Sequence, residues 1–251
     1  MCPQIHIILP SYAAMAFLGL FVAVIFIFFR IERFNLTFIA FLKMLTLCIL
    51  FGFLGSRIVY FISRIPWIIN NFSIFNILSN SICGGFVFYG GLFGVLYGCK
   101  LFCKKNNLDV KIIYSMITPA IPLFHAFGRM GCFMAGCCYG LELQHPINVF
   151  NILTLNRIPT QIIEVIFEMS LFIVILILEK KTDKIDYLKA YLISYAVFRF
   201  VIEFFRGDAV RGLVCGISTS QFISIGILVF YILRKFFKKR IKTETSKLRQ
   251  D

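Results

Sequence analysis

Seven apolar runs punctuate the chain, at about 9–29, 38–62, 82–103, 112–134, 161–178, 187–205 and 217–233. Each approaches the roughly 20 residues that a helix needs to cross the hydrocarbon of a bilayer. The pattern therefore predicts an all-α polytopic membrane protein with about seven transmembrane helices. The fourth run carries Pro119 and Pro122, and the sixth ends in charges. Between the second and third runs, residues 65–80 are too few and too polar to span. Trp67 and the neighbouring Phe residues suit a segment lying in the interface. Residues 1–237 form the expected membrane domain, and 238–251 a basic cytoplasmic tail.

Composition agrees with the pattern. Of 251 residues, 59% are apolar, 15% are charged and 31 are Phe. A soluble domain has about 45–50% apolar and 25% charged residues and too little interior for such a load. The same figures exclude disorder. The formal charge of +14 invites a nucleic-acid reading, but the basic residues sit in short clusters between apolar runs, where they act as topology signals.

Those clusters orient the chain. Most of the 26 basic residues fall in alternate loops and the tail: Arg30, Arg33 and Lys43; Lys100, Lys104, Lys105 and Lys111; Lys180, Lys181, Lys184 and Lys189; and Arg234 onward. That side is expected in the cytoplasm, which puts the N-terminus outside and the C-terminus inside. The first run lacks a basic segment before it, so an uncleaved helix is expected rather than a signal peptide. The basic residues of the opposite side are all Arg: Arg57, Arg64, Arg129, Arg157, Arg199, Arg206 and Arg211. Arg presents a planar fork that suits phosphate or carboxylate.

The sixth run, YLISYAVFRFVIEFFRGD, spaces Tyr195, Arg199, Glu203 and Arg206 along one helix face. Arg199 lies roughly 10 Å inside the outer end at 1.5 Å per residue. A charge at that depth costs a few kcal/mol and usually faces a protein interior or a wet cavity. A structural ion pair with Glu203 would satisfy one Arg; two Arg to one Glu leaves an excess suited to an anion. Arg129, in IPLFHAFGRMGCFMAGCCYG, is placed to meet Arg199 at one depth. Cys132, Cys137 and Cys138 follow it, with readings as a disulfide, a nucleophilic thiolate, a soft-metal site or simple packing. A disulfide or packing fits best, and the nine Cys spell no zinc motif. The doublets Gly84–Gly85 and Gly90–Gly91 suit close helix contact or a break beside the site, with Tyr89 pointing a phenol into it. In RIPTQIIEVIFE, Glu164 suits a helix first turn, and Glu168, one turn deeper, needs a partner such as an Arg of the sixth run.

Taken in order along nearly the whole chain, these blocks resemble the prolipoprotein diacylglyceryl transferase family. Tyr12 stands where that family has a first-span Tyr. GSRIVYF around Arg57 is similar to its G-x-R-x-x-Y, and FYGGLFG at 88–94 to its H-G-G-L-x-G. FGRMGCFMAGCCYG at 127–140 is similar to its G-R-x-G-N-F-x-N-G-E, and RIPTQIIE at 157–164 to its R-H-P-[ST]-Q-L-Y-E. YAVFRFVIEFFRGD at 195–208 and STSQFISI at 218–225 are similar to its Y-x-x-x-R-x-x-x-E-F-x-R-x-x-D and S-x-G-Q-x-L-S. The departures are chemical. Tyr89 replaces the family His, Cys132 and Ala135 its two Asn, Cys137 its Glu, and Ile158 the His before Pro159.

The resemblance implies an enzyme of the bacterial cytoplasmic membrane, with its active site toward the exterior leaflet. It would move the diacylglyceryl group of phosphatidylglycerol to the lipobox Cys thiol of a prolipoprotein, releasing glycerol phosphate. Arg129, Arg199, Tyr89 and Glu203 would be catalytic. Arg129, Arg199, Arg206, Tyr195, Tyr12, Arg57, Gly90 and Gly91 would hold the lipid. No cofactor, metal or nucleic acid is expected. Alternatives are a relative using another acceptor or lipid fragment, a phospholipid-binding protein without chemistry, and, more distantly, a redox protein built on the cysteines.

Overall fold

The computed structural model describes residues 11–70, 87–149, 153–182, 185–207, 213–214 and 217–247. They form helices α1 (Ser11–Phe28), α2 (Phe38–Asn70), α3 (Phe88–Asn106), α4 (Val110–Ile117), α5 (Ala120–Met134), α6 (Thr160–Lys181), α7 (Tyr187–Ile202) and α8 (Thr219–Lys247). An antiparallel pair, β1 (Glu142–Val149) and β2 (Leu153–Arg157), and the short pair β3 (Leu213–Val214) and β4 (Ile217–Ser218) complete it. Five stretches are long and apolar enough to cross a membrane: α1, 38–63 of α2, α4 with α5, α6, and 219–237 of α8. The other two helices, α3 and α7, occupy the places expected of the third and sixth spans.

Local signals set the helix ends. The Asp109 and Asp186 side chains accept the backbone N–H of Lys111 and Lys189 at 2.9 and 3.0 Å and so cap α4 and α7. Ser218 and Gln221 form a reciprocal capping box at the start of α8. Asn107, at φ 51°, ends α3 in the left-handed region. Pro119 separates α4 from α5, because its ring excludes the carbonyl four residues back. That carbonyl, Ser115 O, instead accepts from Arg30 Nη2 at 3.4 Å. Arg30, expected only as a topology charge, is buried and also pairs with Glu179 at 2.9 Å, tying α1 to α6 at the end of α1 opposite Tyr12.

The surface is apolar. Phe17, Phe21, Ile39, Ile58, Ile166 and Phe230 are exposed, while Glu164, Glu168, Arg199 and Glu203 are buried. This inversion suits a chain bathed in lipid. Helices meet through small residues. A Cβ at Gly94 would run into the carbonyl of Phe51, and one at Gly98 would lie 2.8 Å from that of Leu47. Gly90 lies against Gly55 in the same α2–α3 seam. Of the two readings open for Gly90 and Gly91, the geometry supplies close helix contact.

Two regions differ from expectation. Residues 65–70 continue α2 instead of beginning a separate interfacial segment; the remainder of that segment, with Cys83, Gly84 and Gly85, lies outside the described residues, as do Arg211, Cys215 and the side chains of Arg64 and Trp67. Helix α8 runs without a break through the start of the expected tail to Lys247, since Lys, Arg and Glu are good helix formers.

Replacing Gly94 with Ala is expected to destabilise the α2–α3 seam by about 1–3 kcal/mol through overpacking. Gly226→Ala, which meets nothing within 4 Å, should leave stability unchanged or slightly higher. Thermal unfolding of both variants in one detergent checks the contrast.

Candidate active site

The polar residues left inside the bundle converge on one carboxylate. Glu164, on the second turn of α6, is 2% exposed. Its Oε1 accepts from Arg199 Nη1 of α7 at 2.6 Å, and its Oε2 pairs with Arg129 Nε of α5. Arg199 Nη2 also reaches Glu203 Oε2 at 2.9 Å, and Arg206 Nη1 lies 3.6 Å from the same oxygen. Among the described residues, three guanidiniums thus alternate with two carboxylates in a site screened from water, and the Glu168 carboxylate lies one turn deeper. Arg129 and Arg199 do meet, as their depths predict. What joins them is Glu164, for which the sequence suggested only a helix-start role.

The loop after α5 sets the far end. Gly140 and Arg206 are bridged as strand partners; Leu141 N–H donates to Phe205 O and Gly207 N–H to Tyr139 O. Helix α7 unwinds after Ile202 into a single 3-10 turn, Glu203–Phe205, which swings Arg206 back toward Glu203. This loop carries the β1–β2 hairpin, which the apolar pattern did not reveal.

Glu168, one turn deeper and fully buried, pairs with His125 and not with an Arg: Nδ1 and Oε1 are 2.8 Å apart. Arg129 Nε donates to His125 Nε2 at 3.3 Å. A guanidinium has no lone pair to offer, so Nε2 is the acceptor nitrogen, Nδ1 carries the proton, and the imidazole is neutral. The ring is stacked on Phe88 at 3.6 Å and meets Tyr195 edge-on at 5.0 Å. His125 went unassigned in the sequence because it looks like a single His on an apolar face; its i, i+4 spacing to Arg129 was the available signal.

Tyr89 and Tyr195 are both buried, with rings 5.4 Å apart. Tyr89 Oη is hydrogen-bonded to Ser224 Oγ at 2.8 Å, and Ser224 donates to Ser220 O. Ser220 Oγ accepts from Arg199 at 3.3 Å and donates to Glu203 at 3.2 Å. One polar line therefore joins Tyr89 on α3 to Glu168 on α6 across five helices. Tyr12 of α1 packs on Gly131 and stands within electrostatic range of Arg129 and the three cysteines. Arg57 lies over the rings of Tyr60 and Phe61 of its own helix. Cys132, Cys137 and Cys138 form no disulfide, so of the sequence readings the bridge is absent here. An apolar groove of about 410 Å³, lined by Phe93, Leu192, Ile223 and Phe230 among others, runs between α3, α7 and α8.

The sequence profile of prolipoprotein diacylglyceryl transferases matches residues 3–236. The chain belongs to the prolipoprotein diacylglyceryl transferase family. It is 39% identical to the phosphatidylglycerol–prolipoprotein diacylglyceryl transferase of Clostridium tetani over 92% of its own length and 94% of that protein. It is 35% identical to a second such transferase, from Clostridium perfringens, over 74% of each chain. Against the Campylobacter curvus transferase the figures are 33%, 74% and 70%. In this member of the diacylglyceryl transferase family, then, two buried Arg share one carboxylate beside a His–Glu pair whose imidazole is neutral.

Replacing Glu164 with Gln removes the anion that Arg129 and Arg199 share and leaves Arg199 on Glu203 alone. The expected loss of stability is about 3–5 kcal/mol. Because the charges act as a unit, adding Arg129→Gln to that variant should cost less than the sum of the two single changes. Chemical unfolding of the three variants measures the coupling.

Proposed function

We propose that this chain transfers the diacylglyceryl group of phosphatidylglycerol to the cysteine thiol of a prolipoprotein, as its family name describes. The observation that carries the proposal is the shared carboxylate: Arg129 and Arg199 both pair with Glu164 in a buried site, with Arg206 close by on Glu203. The lipid phosphate is the natural ligand of Arg forks gathered side by side. Bidentate Arg–phosphate contacts are strong where water is excluded.

The reaction forms one C–S bond and breaks one C–O bond. The acceptor sulfur attacks the terminal glyceryl carbon of the diacylglyceryl group, and glycerol phosphate departs with the electron pair of the C–O bond. Arg129 and Arg199 hold the phosphate and offset the charge that builds on its oxygen. Glu203, Arg206 and Ser220 fix the Arg199 fork. Tyr195 forms the aromatic wall against which His125 and Tyr89 rest. Tyr89, with Ser224, orients the substrate or relays a proton, and the apolar groove accepts an acyl chain.

His125 supplies the base for which the sequence offered no candidate. Its Nδ1–H is committed to Glu168, so its free lone pair is at Nε2, the atom that Arg129 touches. When the phosphate draws Arg129 away, Nε2 takes the thiol proton and the Glu168 carboxylate stabilises the resulting imidazolium. This is the role of an oriented general base.

The seven helical stretches at the expected places, with Lys concentrated in alternate loops, support seven spans with the N-terminus outside and the C-terminus in the cytoplasm. The Arg sites then open toward the exterior leaflet, where an exported precursor first appears.

Purified protein incubated with phosphatidylglycerol and a lipobox peptide should add a diacylglyceryl mass to the peptide, read by mass spectrometry. Arg199→Lys keeps the charge and loses the fork, so the gain should fall sharply while the protein stays folded. Binding of lipid without any mass gain would sink the transferase reading and leave a lipid-binding protein. Within an active protein, His125→Gln should lower turnover by about 10²–10⁴-fold, the usual worth of a general base. Tyr89→Phe at full turnover would remove Tyr89 from the mechanism.

A further inference from the structure

Three thiols converge beside the Arg–carboxylate ladder, and the mechanism above uses none of them. Helix α5 ends at Met134 in a motif that folds the chain back on itself. Gly136, at φ 65°, sends its N–H to Phe133 O at 3.1 Å, and Cys137 N–H returns to Cys132 O at 3.1 Å. This pairing is the Schellman closure, which sets the side chain after the turn against one in the last helical turn. Here both of those side chains are thiols. Cys138 then adopts φ 61°, a left-handed conformation that a residue with a side chain avoids unless its surroundings impose it. The surroundings are visible: Thr160 Oγ1 donates to Cys138 O at 2.8 Å, and Gln161 Nε2 to Cys137 O at 2.6 Å. The start of α6, one turn before Glu164, holds the loop by both carbonyls. As a result the three sulfurs lie within 4.8 Å of one another, Cys132 buried and the other two half-buried.

We propose that Cys132, Cys137 and Cys138 bind a soft divalent cation of the zinc class as three thiolates, with the fourth position open. A zinc–sulfur bond is about 2.3 Å, which sets tetrahedral sulfurs about 3.8 Å apart, so the sulfurs need to close by about 1 Å at most. The turn gathers the three sulfurs, with the Cys137 thiol donating to Cys132 O at 3.6 Å, and a disulfide would use two and strand the third. Three thiolates and a divalent ion carry one net negative charge, and two guanidiniums, Arg129 and Arg206, both act on Cys138. Three protein ligands with an open fourth position are the arrangement of a reactive zinc site, whereas a structural site fills all four.

The occupant of the open position follows from the transfer reading, on which this second step rests. A cavity of about 410 Å³, lined by Phe133, Gly136, Tyr139, Arg157 and Gln161, opens on the same loop. The acceptor cysteine enters there and binds as the fourth sulfur. Its thiol loses its proton to His125 Nε2, and the metal-bound sulfur forms the new C–S bond as glycerol phosphate leaves. A bound cation deprotonates a coordinating thiol at neutral pH.

The test uses the full chain in detergent, reduced and exposed to Zn²⁺ or Cd²⁺ alone. One ion per chain should survive desalting, and Cd²⁺ should give a thiolate charge-transfer band. Alkylation mapped by peptide mass should find Cys132, Cys137 and Cys138 protected together. Cys132→Ser and Cys138→Ser should each lose the ion, whereas Cys48→Ser, at the separate Cys48–Cys99 contact, should keep it. No retained ion in the reduced protein, unequal protection of the three thiols, or a bridge between two of them under these conditions would each overturn the site. Protection mapping needs no variant, so a misfolded Ser substitution does not decide the matter. Adding lipobox peptide without lipid should strengthen the Cd²⁺ band; an unchanged band overturns the acceptor's place in the fourth position. A chain that holds the ion but never modifies the peptide overturns the transferase reading and leaves the metal site standing.

Discussion

The structure depends on one buried carboxylate. Glu164 receives Arg129 from α5 and Arg199 from α7 while belonging to α6, so three helices are fixed by a single side chain. An isolated guanidinium at that depth carries a desolvation cost of several kcal/mol, and a second one nearby adds repulsion. Among the ion pairs of the described residues, Arg129 has only Glu164 as its anion, and Arg199 divides itself between Glu164 and Glu203. Arg206 also reaches Glu203, which Arg199 already holds. Three guanidinium forks gathered in one rigid ladder suit the recognition of a phosphate.

Rigidity around that ladder comes from two cheap devices. Small residues let α2 and α3 approach until backbone touches backbone, and in lipid, where apolar surface gains nothing by hiding, such contact is the main source of helix association. The second device is the set of ties from loops to helices: the Gly140–Arg206 bridge, the Ser218–Gln221 box and the Thr160 and Gln161 bonds to the cysteine loop. Each satisfies backbone groups that water cannot reach, and each also aims a residue of the site.

The apolar runs made the helices legible, because a bilayer demands length and hydrophobicity and little else. The runs could not show that α2 continues to Asn70 or that α8 continues to Lys247, since a helix does not have to stop where its apolar face does. The β1–β2 hairpin was hidden for the converse reason: a short polar pair between spans leaves no periodic trace. Within the site, charges on one helix were easy to group. Arg199, Glu203 and Arg206 announced themselves by spacing along α7. Contacts between helices were not. Glu164 and Glu168 share a face, but the sequence carries no register between α5, α6 and α7, so the Arg expected beside Glu168 came to Glu164 in exchange for His125: the shallower Glu meets the Arg pair and the deeper one meets His125.

That exchange bears on how the site divides its chemistry. Had Glu168 taken an Arg, His125 would have been left without an orienting acid, and the interior would hold a chain of fixed charges with no group able to exchange a proton. Instead the fixed charges and the proton-exchanging pair are separated by one helical turn, with Arg129 touching both Glu164 and His125 Nε2. A side chain that contacts both halves couples them. Whatever draws the Arg129 guanidinium toward an anion also uncovers the lone pair of the imidazole. Lipid binding and base activation are thereby linked through one residue, so the thiol need not be deprotonated until its electrophile is in place.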